Sequence, residues 1–77
     1  MADDQRSGPP PYLVIAAELR AKIEAGEYRP GDALPSITTL AQEYGVAKTT
    51  AQKALQVLKD EGLARGVHGW GTLVTER

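Results

Sequence analysis

Hydrophobic positions along the chain recur first with the period of a helix. Within residues 12–25, the side chains of Ile15, Leu19 and Ile23 stand four positions apart, and the charged residues lie largely off this stripe. Such spacing is typical of a helix with one buried side. The prolines that precede it suit a helix start, and Gly26 suits a helix end. The pattern therefore predicts a helix over residues 12–25.

Two further helices are predicted after a Pro-Gly turn at residues 30–31. The second covers residues 37–44, where Ser36 is placed as the N-cap and Gly45 suits the left-handed position that ends a helix. The third covers residues 47–61. Two helices joined by a turn of about three or four residues that contains glycine are typical of a helix-turn-helix.

The residues after the third helix predict a hairpin. A short strand is expected at residues 63–65, a turn at 66–69 and a return strand at 70–75, in which Gly71 marks a bulge or a close approach. A brief strand near residues 33–34 would add a third member. Because a lone hairpin is marginal in water, it must pack on the helices. The predicted fold class is mainly α with a small β-hairpin wing, a winged helix-turn-helix with three helices and a two- or three-stranded antiparallel sheet.

The third helix has an apolar and a polar side when its residues are placed at intervals of about 100°. The apolar side is expected in the core and comprises Ala51, Ala54, Leu55 and Leu58. The opposite side comprises Thr49, Gln52, Lys53 and Gln56. Glutamine can pair with adenine, lysine can reach guanine or phosphate, and a threonine methyl can meet thymine. An ordinary solvated helix has a similar composition, but the second helix of a helix-turn-helix enters the major groove, which favours DNA contact.

Three nearby residues admit two interpretations each. Lys48 is either a solvated lysine or a phosphate or base contact near the start of the third helix. Thr50 either touches phosphate or packs at the edge of the core. Ser36 acts as a cap alone, or as a cap that also offers a phosphate contact, since a helix N-terminus suits an anion.

Charge is distributed unevenly, although the formal net charge is only −1. Residues 1–44 hold four basic and seven acidic residues, and residues 45–77 hold five basic and three acidic residues. The small positive excess lies in the half that contains the third helix and the hairpin, which suits nucleic acid. Because non-specific affinity depends largely on phosphate neutralisation, a single copy is expected to bind weakly and to be sensitive to salt.

Composition argues against several other classes of protein. The 77 residues include no cysteine and one histidine, so neither a disulfide framework nor a zinc cluster is expected. No apolar run approaches the roughly 18 residues of a membrane span, and no signal peptide opens the chain. No catalytic triad, phosphate-cradling loop or metal-ligand spacing is visible. We expect a cytoplasmic protein that is not an enzyme, with no cofactor, no metal and no evident small-molecule effector site.

The length supports one domain. Residues 1–11 are polar and end in Gly-Pro-Pro-Pro, which predicts a flexible arm. Residues 12–75 would form the folded domain, and residues 76–77 its end. A domain this small buries only about 60% of its unfolded surface, so modest stability is expected.

Short motifs occur along the chain in a distinctive order. They are PGD at 30–32, LPS at 34–36, LA and GV within 40–46, KTT at 48–50, AL and L within 54–58, EGL at 61–63 and GWGTLV at 69–74. Together they resemble the DNA-binding domain of the GntR family over residues 12–75. The resemblance implies a bacterial repressor or activator that binds an inverted repeat in double-stranded DNA, usually as a homodimer.

The same resemblance implies how DNA is contacted. Recognition helix 47–61 would lie in the major groove, and wing 66–71 would point toward the minor groove. A glycine at the wing tip fits closely into a groove because it has no side chain. The residues carried over by position are Lys48, Thr49, Thr50 and Gln52 on the helix, and His68 and Gly69 at the wing tip.

Four positions depart from the family pattern. Thr38, kept here as a candidate contact, and Gln52 stand where the family often has arginine, and Trp70 replaces a basic residue between the wing glycines. Ala47 replaces the usual serine or threonine, which removes a helix cap at a cost of about 1 kcal/mol. Each missing cation removes a contact to phosphate or guanine, so an altered target sequence and weaker affinity are expected.

The roles of Trp70 and His68 stay open. Trp70 is a hydrophobic cover for the core, a contact to sugar edges in the minor groove, or part of a protein interface, where tryptophan is enriched. His68 is an exposed turn residue or a DNA contact. The low net charge, the missing arginines and Trp70 leave an alternative function open, a winged-helix protein-interaction module with little DNA affinity. Since the family normally attaches a C-terminal domain, the chain is either a minimal protein or an excised module.

Overall fold

Three helices and one hairpin make up residues 8–76, the part of the chain that this computed structural model describes. The elements, in chain order, are α1 (Pro11–Glu24), α2 (Ile37–Tyr44), α3 (Lys48–Asp60), β1 (Ala64–Val67) and β2 (Gly71–Val74). The two strands pair antiparallel. The predicted fold class, a winged helix-turn-helix, is confirmed. Residues 1–7 of the predicted arm and Arg77 lie outside the described residues.

The helices begin and end where local chemistry favours it. α1 starts one residue earlier than predicted because Pro11 suits the first turn, where its fixed φ is helical and its missing N–H leaves nothing unpaired. Ser36 caps α2, since its Oγ accepts the Thr39 N–H at 3.1 Å. Gly45 ends α2 in the left-handed conformation, with a φ of 66°. α3 follows after residues 45–47, which confirms the predicted helix-turn-helix.

The core lies between the three helices and is closed by the hairpin. Ile23, predicted on the buried stripe of α1, packs against this core but is only partly buried. No polar or charged residue among residues 8–76 is buried, so the apolar side of α3 faces inward and its polar side faces out. The buried residues are Ile15, Ala16, Leu19, Leu34, Leu40, Ala51, Ala54, Leu55, Leu58, Ala64 and Val74.

The first strand of the hairpin is longer than predicted. β1 begins at Ala64 and runs to Val67. The predicted bounds of the strand at 63–65 and of the turn at 66–69 are therefore wrong. Gly66 is not among the glycines with positive φ, and extended backbone continues through it.

The turn itself is a tight type II turn. Val67 O accepts the Trp70 N–H at 2.9 Å, and Gly69 has a φ of 84°. A positive φ at the third residue is the requirement of this turn, and glycine meets it without strain. The return strand starts at Gly71, one residue later than predicted. Gly71 also has a positive φ, and a Cβ there would meet no atom within 4 Å, so backbone conformation rather than a close approach accounts for this glycine.

A further chain segment joins the sheet through a single bridge. Ala33 pairs antiparallel with Leu73 of β2, and the Leu34 N–H donates to Thr72 O at 2.8 Å. The brief third strand that the sequence predicts is thus present in its shortest form. It holds the hairpin against the segment that leads into α2.

An ion pair joins α1 to the residue that ends α3. Arg20 donates from Nε to Glu61 Oε1 at 2.9 Å and from Nη2 to Oε2 at 2.7 Å. The hydrogen bond to Glu61 is the main reason that the pKa of Arg20 is raised. The two side chains are 32% and 39% exposed, so the pair adds little stability. Its main consequence is that the Glu61 carboxylate is held against α1.

A hydrogen bond between α2 and α1 affects the titration of Tyr44. The phenol donates to Glu18 Oε1 at 2.6 Å. Burial, which disfavours the phenolate, and then the hydrogen bond to Glu18 raise the pKa of Tyr44 to about 12.

We expect the Tyr44 phenol to stay neutral well above the ordinary tyrosine range. Because its pKa is higher in the folded chain than the unfolded value of about 10, its stabilising contribution is complete below that unfolded value. The contribution is lost as the pH rises toward about 12. Phenolate absorbance in an alkaline titration should show a late step that Tyr44→Phe removes. If tyrosine ionisation is complete at the same pH in the parent and in Tyr44→Phe, this expectation is contradicted.

Candidate nucleic-acid interface

The polar side of α3 is turned to solvent. Thr49, Gln52, Lys53 and Gln56 are all exposed, opposite the buried alanine and leucine side. α1 and α2 pack against the other side of α3 and leave these four side chains exposed. The structure therefore brings together, on one accessible side, the residues that the sequence predicts as DNA contacts.

Two of these four side chains are already engaged within the protein. Lys53 Nζ lies 5.5 Å from the centroid of the Tyr12 ring, a cation–π contact. Gln56 Nε2 donates to Asp60 Oδ1 at 2.9 Å, one turn further along α3. Thr49 and Gln52 are therefore the more available of the four, whereas Lys53 and Gln56 give up a contact before they bind a ligand.

The start of α3 suits an anion. Lys48 is its first residue and is exposed, whereas Thr50 is half-buried, which favours packing at the core edge. The Ala47 N-cap makes no side-chain hydrogen bond, so the missing cap that the sequence predicts is confirmed. The Thr50 N–H donates to Ala47 O at 3.0 Å, whereas the N–H groups that precede it in a first helical turn have no partner within the helix and carry the positive end of its dipole. With Lys48 beside them, they favour a phosphate at this end.

Restoring the cap is expected to stabilise the protein. Ala47 is exposed and has extended backbone, with φ −68° and ψ 154°, the conformation in which a cap serine acts. We expect Ala47→Ser to raise the free energy of unfolding by about 1 kcal/mol, measured by urea denaturation. Ala21→Ser, at an exposed position inside α1, is the matched control because it adds a hydroxyl where no orphan N–H needs it. Equal changes in the two variants would contradict the capping argument.

The start of α2 is capped more completely. The Ser36 hydroxyl accepts the Thr39 N–H at 3.1 Å and donates to Thr39 Oγ1 at 3.0 Å. The proton of Ser36 is thereby engaged, which favours its interpretation as a cap alone. Thr38 is exposed on the same turn. Contacts of Ser36 and Thr38 to DNA stay predictions.

The wing tip is open to solvent. His68, Gly69 and Trp70 are all exposed, and Trp70 is 76% exposed. The interpretation of Trp70 as a cover for the core is therefore wrong. The buried residues of the two strands are Ala64 and Val74, which pair with each other at the end of the hairpin away from the tip. The minor-groove and protein-interface interpretations of Trp70 both stay open on this geometry.

Two cations beside the wing were not singled out from the sequence. Lys59 reaches from α3 across β1, so that its Nζ lies 3.4 Å from the position of a Cβ on Gly66. Arg65 is exposed on β1, next to the buried Ala64. The periodicity of the sequence could have identified both residues. Lys59 lies at nearly the same angle around α3 as Lys48, and strand alternation points Arg65 away from the core.

The acidic groups close to this surface are bound to neighbours. Asp60 accepts the Gln56 amide, and Glu61 is paired with Arg20. Residues 62–75 contain no aspartate or glutamate. The start of α3 and the wing are thus more favourable to a polyanion than the net charge suggests.

Residues 8–76 offer neither a membrane-spanning helix nor a cluster of metal ligands. No helix there has the length and hydropathy that a membrane crossing needs. No group of three histidine, cysteine, aspartate or glutamate side chains is placed to hold a metal ion.

Comparison with known sequences gives consistent matches. Residues 11–74 match the family model described as bacterial regulatory proteins, gntR family. The chain is 40% identical over 67 residues to the mannosyl-D-glycerate transport/metabolism system repressor MngR of Escherichia coli, covering 87% of this chain and 28% of that protein. It is 38% identical over 76 residues to the histidine utilization repressor of Klebsiella aerogenes, covering 97% and 32%. The chain spans less than a third of either relative.

Solved structures share the fold. The DNA-binding domain of AraR in complex with operator ORX1 superposes with a TM-score of 0.85 at 31% identity, covering 91% of this chain and 84% of that one. A GntR family transcriptional regulator from Listeria monocytogenes superposes with a TM-score of 0.84 at 33% identity, covering 91% and 61%.

Proposed function

Because the chain belongs to the GntR family of bacterial regulatory proteins, we propose that it binds double-stranded DNA sequence-specifically and thereby regulates transcription. The observation that carries the proposal is the accessible polar side of α3, backed by a buried alanine and leucine side in a helix-turn-helix. This geometry is the one in which a recognition helix reads base edges.

Within this proposal α3 lies in the major groove, led by its first turns. Gln52 pairs with a base edge, for which a glutamine amide suits adenine. Thr49 offers its methyl to thymine or its hydroxyl to phosphate. Lys48 contacts phosphate or guanine at the start of the helix, where the helix dipole adds to its charge. Thr50, being half-buried, fixes the position of this turn more than it reads a base.

The wing reaches the adjacent minor groove. Gly69 lets the backbone of the tip come close to the groove, and His68 stands beside it as an exposed donor. Lys59 and Arg65 supply the neighbouring phosphate contacts. The helix and the wing then hold the duplex at two places, which fixes the register of base readout.

The small charge of one copy favours binding of DNA by two copies of the chain. With few cations on the surface, a single copy binds weakly, and two copies on an inverted repeat gain affinity from each other. We propose such a homodimeric complex on a palindromic site, in the bacterial cytoplasm. The function is that of a regulator rather than an enzyme, as it is for the family.

Selection from random duplexes tests the proposed function. The full chain is used to enrich binding sequences, and affinity for the enriched sequence is then measured by gel shift across a salt series. We expect a palindromic motif and an affinity that falls steeply with salt, in proportion to the number of phosphates neutralised. A protein indifferent to sequence and to salt would instead be a protein-interaction module, and the proposed function would be rejected.

A further inference from the structure

Trp70 is the most exposed large hydrophobic residue among residues 8–76. It is 76% exposed, against 38% for both Leu13 and Val14. An apolar ring of this size in water is unfavourable. In this position the ring stabilises nothing in the folded chain and is open to contact with a ligand.

The ring is held at the tip of a defined turn. The Trp70 N–H donates to Val67 O at 2.9 Å, and its two neighbours, Gly69 and Gly71, both have positive φ. Neither neighbour has a side chain, and a Cβ added at either would meet nothing within 4 Å. The indole therefore projects from a narrow, hydrogen-bonded edge with both flanks clear, which is the shape of a side chain that enters a groove.

The surroundings of the ring favour a polyanion over an apolar protein surface. The sequence between Gly62 and Thr75 contains Arg65 and His68 but no acidic residue, and Lys59 extends toward the base of the wing. Docking sites for proteins or for a second copy are normally contiguous apolar patches. Here the neighbours of the ring in sequence are glycines, and the nearest side chains along the chain are the polar ones of His68 and Thr72.

We propose that the Trp70 indole enters the minor groove edge-on and packs against the deoxyribose walls, so that the wing contributes apolar contact where a cation would contribute charge. The inference rests on the proposed DNA binding. The minor groove is about 6 Å wide, which admits a ring on its edge. The contact therefore depends on the width and shape of the groove rather than on hydrogen bonds to base edges.

The protein carries its own probe for this contact, because Trp70 is its single tryptophan. The full chain is titrated with the duplex enriched by selection, while tryptophan emission and its quenching by acrylamide are recorded. Saturation with DNA is expected to change the emission and to protect the indole from acrylamide. Emission that changes with protein dilution in the absence of DNA would assign the ring to a second copy and overturn the proposal.

Two variants separate apolar from ionic contact. Trp70→Ala is expected to weaken binding about tenfold with no change in the salt slope, and its thermal stability should match that of the parent because the ring is exposed. Trp70→Lys is expected to steepen the salt slope by about one phosphate contact. Lys22→Ala on α1 serves as the control for loss of a cation away from the interface.

The outcomes distinguish this inference from the proposed function. Gel shifts can show sequence-specific binding while DNA leaves the emission and the quenching of the parent unchanged and Trp70→Ala binds as tightly as the parent. In that case the wing contact is overturned and the DNA-binding function stands. If the parent binds no duplex, both fall together.

Discussion

Leu58→Ala is expected to lower the free energy of unfolding by about 2–5 kcal/mol. Leu58 is completely buried in the last turn of α3 and is among the largest fully buried side chains. Truncation removes its transfer free energy and leaves a cavity that closely packed neighbours cannot fill. Native domains are stabilised by only about 0.05–0.15 kcal/mol per residue. In a chain of 77 residues, this single change would remove much of the total, and a large unfolded population is expected.

The measurement is urea denaturation followed by far-ultraviolet circular dichroism. Gln56→Ala, two residues away on the exposed side of α3, is the matched control and should stay within about 0.5 kcal/mol of the parent. Parent-like stability of Leu58→Ala would mean that α3 is not packed through this side, and the orientation of its polar side would lose its basis.

Gln52→Ala is expected to relax specificity while leaving the fold intact. Gln52 is exposed on the second turn of α3, so its loss should hardly change stability. A bidentate pair between an amide and a base contributes about 1–3 kcal/mol of discrimination. Binding to the best site should therefore weaken by about fivefold to a hundredfold, and one base pair in each half of the enriched motif should become degenerate.

Lys48→Ala separates base readout from charge. If Lys48 contacts phosphate, its loss should weaken binding to all duplexes about equally and reduce the salt slope by about one. The two variants are compared by repeated selection and by gel shift at several salt concentrations, with Lys22→Ala as the control. An unchanged motif for Gln52→Ala together with unchanged affinity for Lys48→Ala would place the DNA contact elsewhere than on the start of α3.

The helices were predictable to within a residue or so because each boundary has a local chemical cause. Ser36 supplies a cap oxygen and Gly45 a left-handed end, and both effects depend only on adjacent residues. The apolar spacing of α3 was sufficient to separate its buried from its exposed side. The accessible part of the candidate site was therefore visible in the sequence, although its contacts with DNA stay predictions.

The hairpin was less predictable because three glycines compete for its turn. Gly66, Gly69 and Gly71 all permit unusual backbone, and only the pairing register decides which of them takes the third position of the turn. The position of Trp70 was not predictable for a similar reason. Hydrophobicity allows a core cover, a groove contact or a protein interface, and only the turn places the ring at the open tip.

Contacts between distant residues had no sequence signal at all. Arg20 and Glu61 are 41 positions apart, and Glu18 and Tyr44 are 26 apart. Such pairs depend on how α1 is placed against α2 and α3, which follows from packing of the whole core. The raised pKa of Tyr44 was for the same reason not predictable.

The ordering of charge along α3 has a consequence for how fast the protein finds its ligand. Lys48 and Lys53 stand in its first half, whereas its end combines Lys59 with Asp60 and with Glu61, whose charge Arg20 offsets. The excess of positive charge therefore lies at the start of the helix, in the same sense as the backbone dipole. A molecule with a net charge of −1 is hardly drawn to a polyanion, but a dipolar one is rotated by its field before contact. The start of α3 should then face the DNA at first contact. A larger fraction of collisions therefore has the productive orientation, which raises the association rate.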